Sequence, residues 1–151
     1  MEAVEAALGA LARKERTAAE LRAWLEAHGF APPAIEEAIE RLCELGQLDD
    51  RRFAHRYAED KRALRGWGPE RIAETLHERG VPSEAIAGAL RADASAGEEA
   101  ERAARLLVGR GDSLGDERGR GRAFAYLRRR GYPAEIAYDA VRRAERLREA
   151  A

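Results

Sequence analysis

The chain has 151 residues, 45% of them hydrophobic, with 27 Lys and Arg against 28 Asp and Glu, a net charge of −1 and a single Cys. That inventory excludes an internal disulfide framework and a thiolate zinc cluster. Charges begin at Glu2 and no stretch nears the roughly 18 apolar residues of a membrane helix, which predicts a cytoplasmic chain without a membrane span.

Ala, Leu, Glu and Arg dominate, so helix is expected throughout, starting with a segment over roughly residues 2 to 14. A second helix starts at Thr17, which stands at capping-box spacing from Glu20. It carries Leu21 and Leu25 one turn apart and stops at Gly29, a residue type that can end a helix in the left-handed conformation. Phe30 folds back on that face, and Pro32 and Pro33 open a third helix striped by Ile35, Ile39 and Leu42.

The same order then recurs. A helix over roughly 50 to 65 begins behind Asp49-Asp50 and places Phe53 and Tyr57 one turn apart. Gly68-Pro69 opens the next, which carries Ile72 and Leu76 and ends at Gly80 before Val81. Pro82 then introduces the helix of Ile86 and Leu90. A third round runs from a helix over roughly 97 to 109 to one with Ala123 and Leu127 that ends at Gly131-Tyr132. Pro133 opens its last helix, whose apolar stripe is read as Ile136, Tyr138, Val141 and Leu147.

Gly29, Gly80 and Gly131 are 51 residues apart, and Leu21, Ile72 and Ala123 precede them at one fixed distance. The expected fold is therefore all-α: three tandem three-helix repeats of 51-residue period, residues 1–49, 50–95 and 96–151, in an elongated, curved array. Five glycines within residues 109–121 are expected to form a mobile hinge in the third unit.

Catalysis is hard to build from these residues, and no enzyme activity, cofactor or metal is expected. His28, His55 and His77 lie in separate helices, away from metal-ligand spacing to one another or to Cys43, which reads as a helix-packing residue. Asp49 and Asp50 precede a helix, where carboxylates cap free amides. The glycines of 109–121 fit neither phosphate-binding fingerprint.

Charge is segregated: residues 1–50 carry a net −6, residues 51–80 +3, residues 81–117 −4 and residues 118–151 +6. Arg51, Arg52, Arg56, Lys61, Arg62, Arg65 and Arg71 surround Trp67, a set that either grips phosphate and stacks on a base or packs Trp67 between helices under a solvated face. Arg118, Arg120 and Arg122, with Arg128-Arg129-Arg130, form a second cluster. Cations after a helix suit its dipole, but those before it have no such reason, and the excess points to binding.

The series Thr17-Ala18-Ala19-Glu20-Leu21, Leu25 and Gly29-Phe30, then Leu42, Leu45-Gly46, Leu48-Asp49-Asp50, Phe53-Ala54 and Tyr57, then Gly66-Trp67-Gly68-Pro69, Ile72 and Leu76, resembles the RecX recombination regulators. The resemblance spans essentially the whole chain and is most specific from Thr17 to Ile86; the third unit is looser, with Ala123 where a larger apolar residue is usual. It implies the same three-unit helical fold and a non-enzymatic modulator of the RecA recombinase; the chain is expected to be a monomer. Such a modulator lies in the groove of the RecA filament on single-stranded DNA and suppresses its extension, ATP hydrolysis, strand exchange and coprotease activity. On that reading the contacts come from Arg51, Arg52, Arg56, Arg65 and Trp67 of the second unit and Arg120, Arg122, Arg128, Arg129 and Arg130 of the third. The alternative is a stand-alone DNA-binding helical protein or transcription factor.

Overall fold

The structure, a computed structural model, describes residues 2 to 93 and 95 to 150, without the side chains of residues 92 and 93. The described residues form nine α-helices and no strand: α1 (Ala3–Arg13), α2 (Ala18–Ala27), α3 (Pro32–Glu44), α4 (Asp50–Asp60), α5 (Pro69–Glu78), α6 (Ser83–Asp93), α7 (Ala96–Arg110), α8 (Glu117–Arg129) and α9 (Ala134–Ala150). A π-helical turn, Lys61–Arg65, extends α4 and ends at Gly66 in the left-handed region.

Three hydrophobic clusters divide the helices into α1–α3, α4–α6 and α7–α9. In the first, Ala3, Ala6, Ala7 and Ala10 recur at helical spacing and let α1 lie close to Leu21, Leu25, Ile35, Ile39 and Leu42. Phe53, Ile72, Leu76, Val81 and Ile86 fill the second, and Leu107, Leu127, Tyr132 and Val141 the third. The apolar stripe of α9 differs from the expected one. Tyr138 and Leu147 are exposed, and the buried face is Ala137, Ala140, Val141 and Ala144, small side chains that let α9 pack closely along α7.

The middle helices α2, α5 and α8 end alike. Gly29, Gly80 and Gly131 have φ of 86°, 83° and 98°. The amides of Phe30, Val81 and Tyr132 donate to the carbonyls of Leu25, Leu76 and Leu127. Each is the Schellman closure, with the apolar residue after the glycine turned back onto its helix.

These ends also join the units. Thr17 Oγ1 accepts from the Glu20 amide (3.1 Å) and donates to the Arg79 carbonyl (2.8 Å), so the end of α5 sits on the start of α2. One period later the Gly68 amide donates to the Arg130 carbonyl (2.8 Å) and the Glu70 amide to the Gly131 carbonyl (2.9 Å), seating the end of α8 on the start of α5. The three middle helices thus form a head-to-tail column in which free carbonyls meet free amides and the macrodipoles align. Carboxylates of the first turn reinforce both joints: Glu20 pairs with Arg79 (3.0 Å) and Glu70 with Arg128 (3.0 Å). Asp50 caps α2 from outside through the Ala18 amide (2.9 Å), while Asp49 caps α4.

The glycine-rich segment is more ordered in form than a 13-residue hinge. Gly109 belongs to α7, and Gly119 and Gly121 to α8, leaving a connector of residues 111 to 116. Leu114 anchors that connector in the third core, and Asp116 caps α8 through the Gly119 amide (2.7 Å). Gly119 is required sterically, since a Cβ there would lie 1.9 Å from the Ser113 carbonyl oxygen.

Two outcomes follow from the joints. A Cβ at Gly80 would meet that of Ala19 at 2.3 Å, whereas nothing lies within 4 Å at Gly29. Gly29→Ala is expected to cost only the left-handed strain, about 1–2 kcal/mol, and Gly80→Ala at least about 1 kcal/mol more from the clash, read by denaturant unfolding. Burial works against ionisation of Glu20, but Arg79 and the Thr17 amide outweigh it and hold its carboxyl below the usual 4.5. A lowered value contributes stability above the unfolded pKa that is lost as pH falls through the folded one. Melting temperature should therefore drop more steeply below about pH 4.5 in the native chain than in Glu20→Gln.

Candidate functional site

The arginines of α4 are exposed and lightly tethered. Arg51 lies 3.6 Å from Glu84, Arg56 lies 3.1 Å from Glu15, and Arg52 donates to the Gly46 carbonyl (3.1 Å). Pairs of this exposure hold their partners weakly and can exchange them for a phosphate. Arg65 has an exposed side chain, and its carbonyl accepts a hydrogen bond from Arg130.

Trp67 is half-buried against the second core. The Arg71 guanidinium lies 4.2 Å and the Lys61 ammonium 4.9 Å from its ring centre, with Tyr57 edge-on at 6.4 Å. A base stacking there would have to displace one of those cations. Arg62 does not share the exposed face on which the sequence alone placed it. The π-helical turn buries it, and it meets Glu99 of α7 at 2.8 Å with side-chain exposures of 4% and 3%. It therefore joins the second unit to the third. Glu99 also lies near Tyr132, whose phenol is pushed up to about 12, first by burial and then by that carboxylate.

The third-unit cluster divides by neighbours. Arg128 donates to Glu70 (3.0 Å) and to the Tyr132 carbonyl (2.8 Å), so it belongs to the joint between α8 and α5. Arg130 reaches the Arg65 carbonyl and lies 5.5 Å from the ring of Tyr126, which Arg110 covers at 3.4 Å. Arg120 donates to the Leu114 carbonyl (3.2 Å) and pairs with Glu145 (3.4 Å), holding the connector to α9. Among the described residues Arg118, Arg122 and Arg129 are exposed and have no hydrogen-bond or ion-pair partner. Positions 118, 122 and 129 share one face of α8. They make a stripe of three uncommitted guanidiniums about 16 Å long at 1.5 Å per residue, suited to an extended anion such as a phosphate backbone.

The sequence reading missed the cation–carboxylate pairs at the joints. A partial signal for them exists: Glu20 and Glu70 both stand in the first turn of a middle helix, and Arg79 and Arg128 stand one and three residues before a repeat glycine. Cys43, read as a packing residue, is exposed. Among the described residues no group of three or more His, Cys, Asp or Glu is placed to hold a metal ion. No helix there is long and apolar enough to cross a membrane.

The division can be measured. Arg62→Ala removes one partner of a buried pair and is expected to cost about 3 kcal/mol. Arg122→Ala and Arg129→Ala should stay within about 0.5 kcal/mol of the native chain in the same denaturant series.

Family models described as "RecX, first three-helix domain" and "RecX, second three-helix domain" match residues 3–42 and 49–90, the first and second helical units. The regulatory protein RecX of Mycobacterium sp. (strain JLS) is 36% identical over 138 residues, covering 87% of this chain and 75% of that one. That of Trichlorobacter lovleyi is 36% identical over 135 residues, covering 87% and 88%. The crystal structure of RecX from Lactobacillus salivarius superposes with a TM-score of 0.84 at 22% identity, over 95% of this chain and 94% of that one, a likeness of fold. With two family domains matched in succession and a third of the residues shared along most of its length, the chain belongs to the RecX family of regulatory proteins.

Proposed function

We propose that this chain is a non-enzymatic negative regulator of homologous recombination and the SOS response. It binds the RecA filament on single-stranded DNA and inhibits filament extension, ATP hydrolysis, strand exchange and coprotease activity, acting in the cytoplasm as a monomer. Family membership carries the choice of partner. The observation that carries the mode of contact is the uncommitted stripe of Arg118, Arg122 and Arg129 on α8. A filament groove offers protein surface beside a phosphate backbone, and cations already paired within the fold must lose a partner before they can bind there. Arg122 and Arg129 lose nothing, whereas Arg128 holds α8 on α5 and Arg130 ties it to the π-helical turn after α4. Arg51, Arg52, Arg56 and Arg65 add weakly tethered cations from the second unit.

The test is to titrate the protein into RecA assembled on single-stranded DNA with ATP and to follow hydrolysis and filament length. Inhibition of both is expected, and no change in either would overturn the proposal. The double variant Arg122→Glu with Arg129→Glu should keep its melting temperature and need about ten-fold more protein for the same inhibition at physiological salt. Undiminished inhibition would remove the stripe from the contact. Binding to a duplex without RecA, with a salt slope of similar size, would favour a stand-alone DNA-binding protein.

A further inference from the structure

The column of middle helices leaves one joint open. Gly80 and Gly131 are covered, a Cβ at either lying 2.3 Å from the Cβ of Ala19 or Arg71, while Gly29 has the same closure and nothing within 4 Å. The opposite end of the column is shut by the chain itself. Gly119 stands one period after Gly68, and the Ser113 carbonyl oxygen occupies there the place that the Gly131 carbonyl takes at Gly68, 1.9 and 2.6 Å from the respective Cβ positions. A second copy of this chain therefore has no free middle-helix start to offer: those of α2 and α5 are occupied, and that of α8 is blocked.

The surroundings of the open end are shaped for an occupant. A groove of about 490 Å³ is lined by Ala6, Gly9, Arg13, Trp24, His28 and Phe30, with Glu5 at its edge. His28 stacks on Trp24 at 3.8 Å, and the guanidiniums of Arg13 and Arg16 lie 5.5 and 5.6 Å from the indole centre; Arg16 also donates to the Ala10 carbonyl, and neither has a carboxylate partner among the described residues. At the two closed joints the matching cations, Arg79 and Arg128, hold Glu20 and Glu70 of the seated helix. Gly9 lies inside α1, where glycine costs about 1 kcal/mol against alanine. A Cβ there would touch nothing, so no packing contact within the fold requires the glycine; what it provides is room over the groove.

We infer that this groove docks the first turn of an α-helix on a partner protein. The turn begins with Ser, Thr or Gly and carries a carboxylate two or three residues on, as the starts of α2 and α5 do. Its free amides or cap hydroxyl meet the carbonyl end of α2 at His28 and Gly29, and its carboxylate meets Arg13 and Arg16. The inference rests on the closed joints and not on the RecA reading.

The probe is a helix-stapled peptide of residues 14–27, the start of α2 itself, titrated into the nitrogen-15-labelled full chain. The Gly29 and Phe30 amide signals should shift saturably while those of Gly80 and Gly131 stay. Gly9→Gln fills the groove from a position with open space around it and should leave the melting temperature within a few degrees of native while weakening the peptide by about ten-fold or more. Arg13→Glu, and a peptide with Thr17→Ala and Glu20→Ala, should do the same. No shift at Gly29 with the peptide at about 1 mM, or binding that survives Gly9→Gln, overturns the inference. So does a Gly29 shift produced merely by concentrating the chain, which would identify the occupant as a second copy.

Discussion

The joint at which a glycine-ended helix sits on the start of the helix one unit earlier is the constraint that organises this protein. A helix end leaves four carbonyls and a helix start four amides without partners. Here each middle helix meets part of that demand with its neighbour, through Thr17 and the Arg79 carbonyl at one joint and through Gly68, Glu70 and the carbonyls of Arg130 and Gly131 at the other. The contact is close because no Cβ intervenes. Glycine thus does two things at Gly80 and Gly131, taking a left-handed φ and letting another backbone in, and only the first at Gly29.

Charge follows from the same constraint. The chain is rich in arginine, but much of the arginine is used internally: Arg79 and Arg128 close the joints, Arg130 ties α8 to Arg65, Arg120 holds the connector, and Arg62 is buried against Glu99. Less is left for a partner than the composition suggests, and it includes the exposed guanidiniums on one face of α8 and a looser set on α4. A surface cation that has to abandon a carboxylate contributes less to binding than one that does not.

Much of the fold was legible from local chemistry. The period of 51, the glycine ends, the proline starts and the capping box at Thr17 and Glu20 each rest on one segment of chain and reappear in the structure. What was not legible depends on contacts between units. Arg128 and Arg130 read as surface charge because a sequence does not reveal that a helix end abuts another helix. Arg62 read the same way because a π-helical turn, which rotates it inward, leaves no signature in the pattern. Tyr138 and Leu147 read as core because they are large, while alanines that permit close approach do the packing in α9. Within the candidate site, sequence supplied the clusters, and the pairing of each guanidinium decided which members stay available.

Tandem units with the same joint also face an assembly problem, since a unit could seat on the wrong neighbour, or on another chain, during folding. The two junctions are not interchangeable. One is read through a threonine hydroxyl; the other uses a glycine amide and adds the Arg62–Glu99 pair, 37 residues apart in sequence and buried. A buried pair contributes little net stability, yet leaving either member unmatched is strongly unfavourable. Seating the first unit directly on the third would strand Glu99 without Arg62. Glu99 would then keep only Arg102, at 3.6 Å, so the pair works against wrong arrangements more than it stabilises the right one.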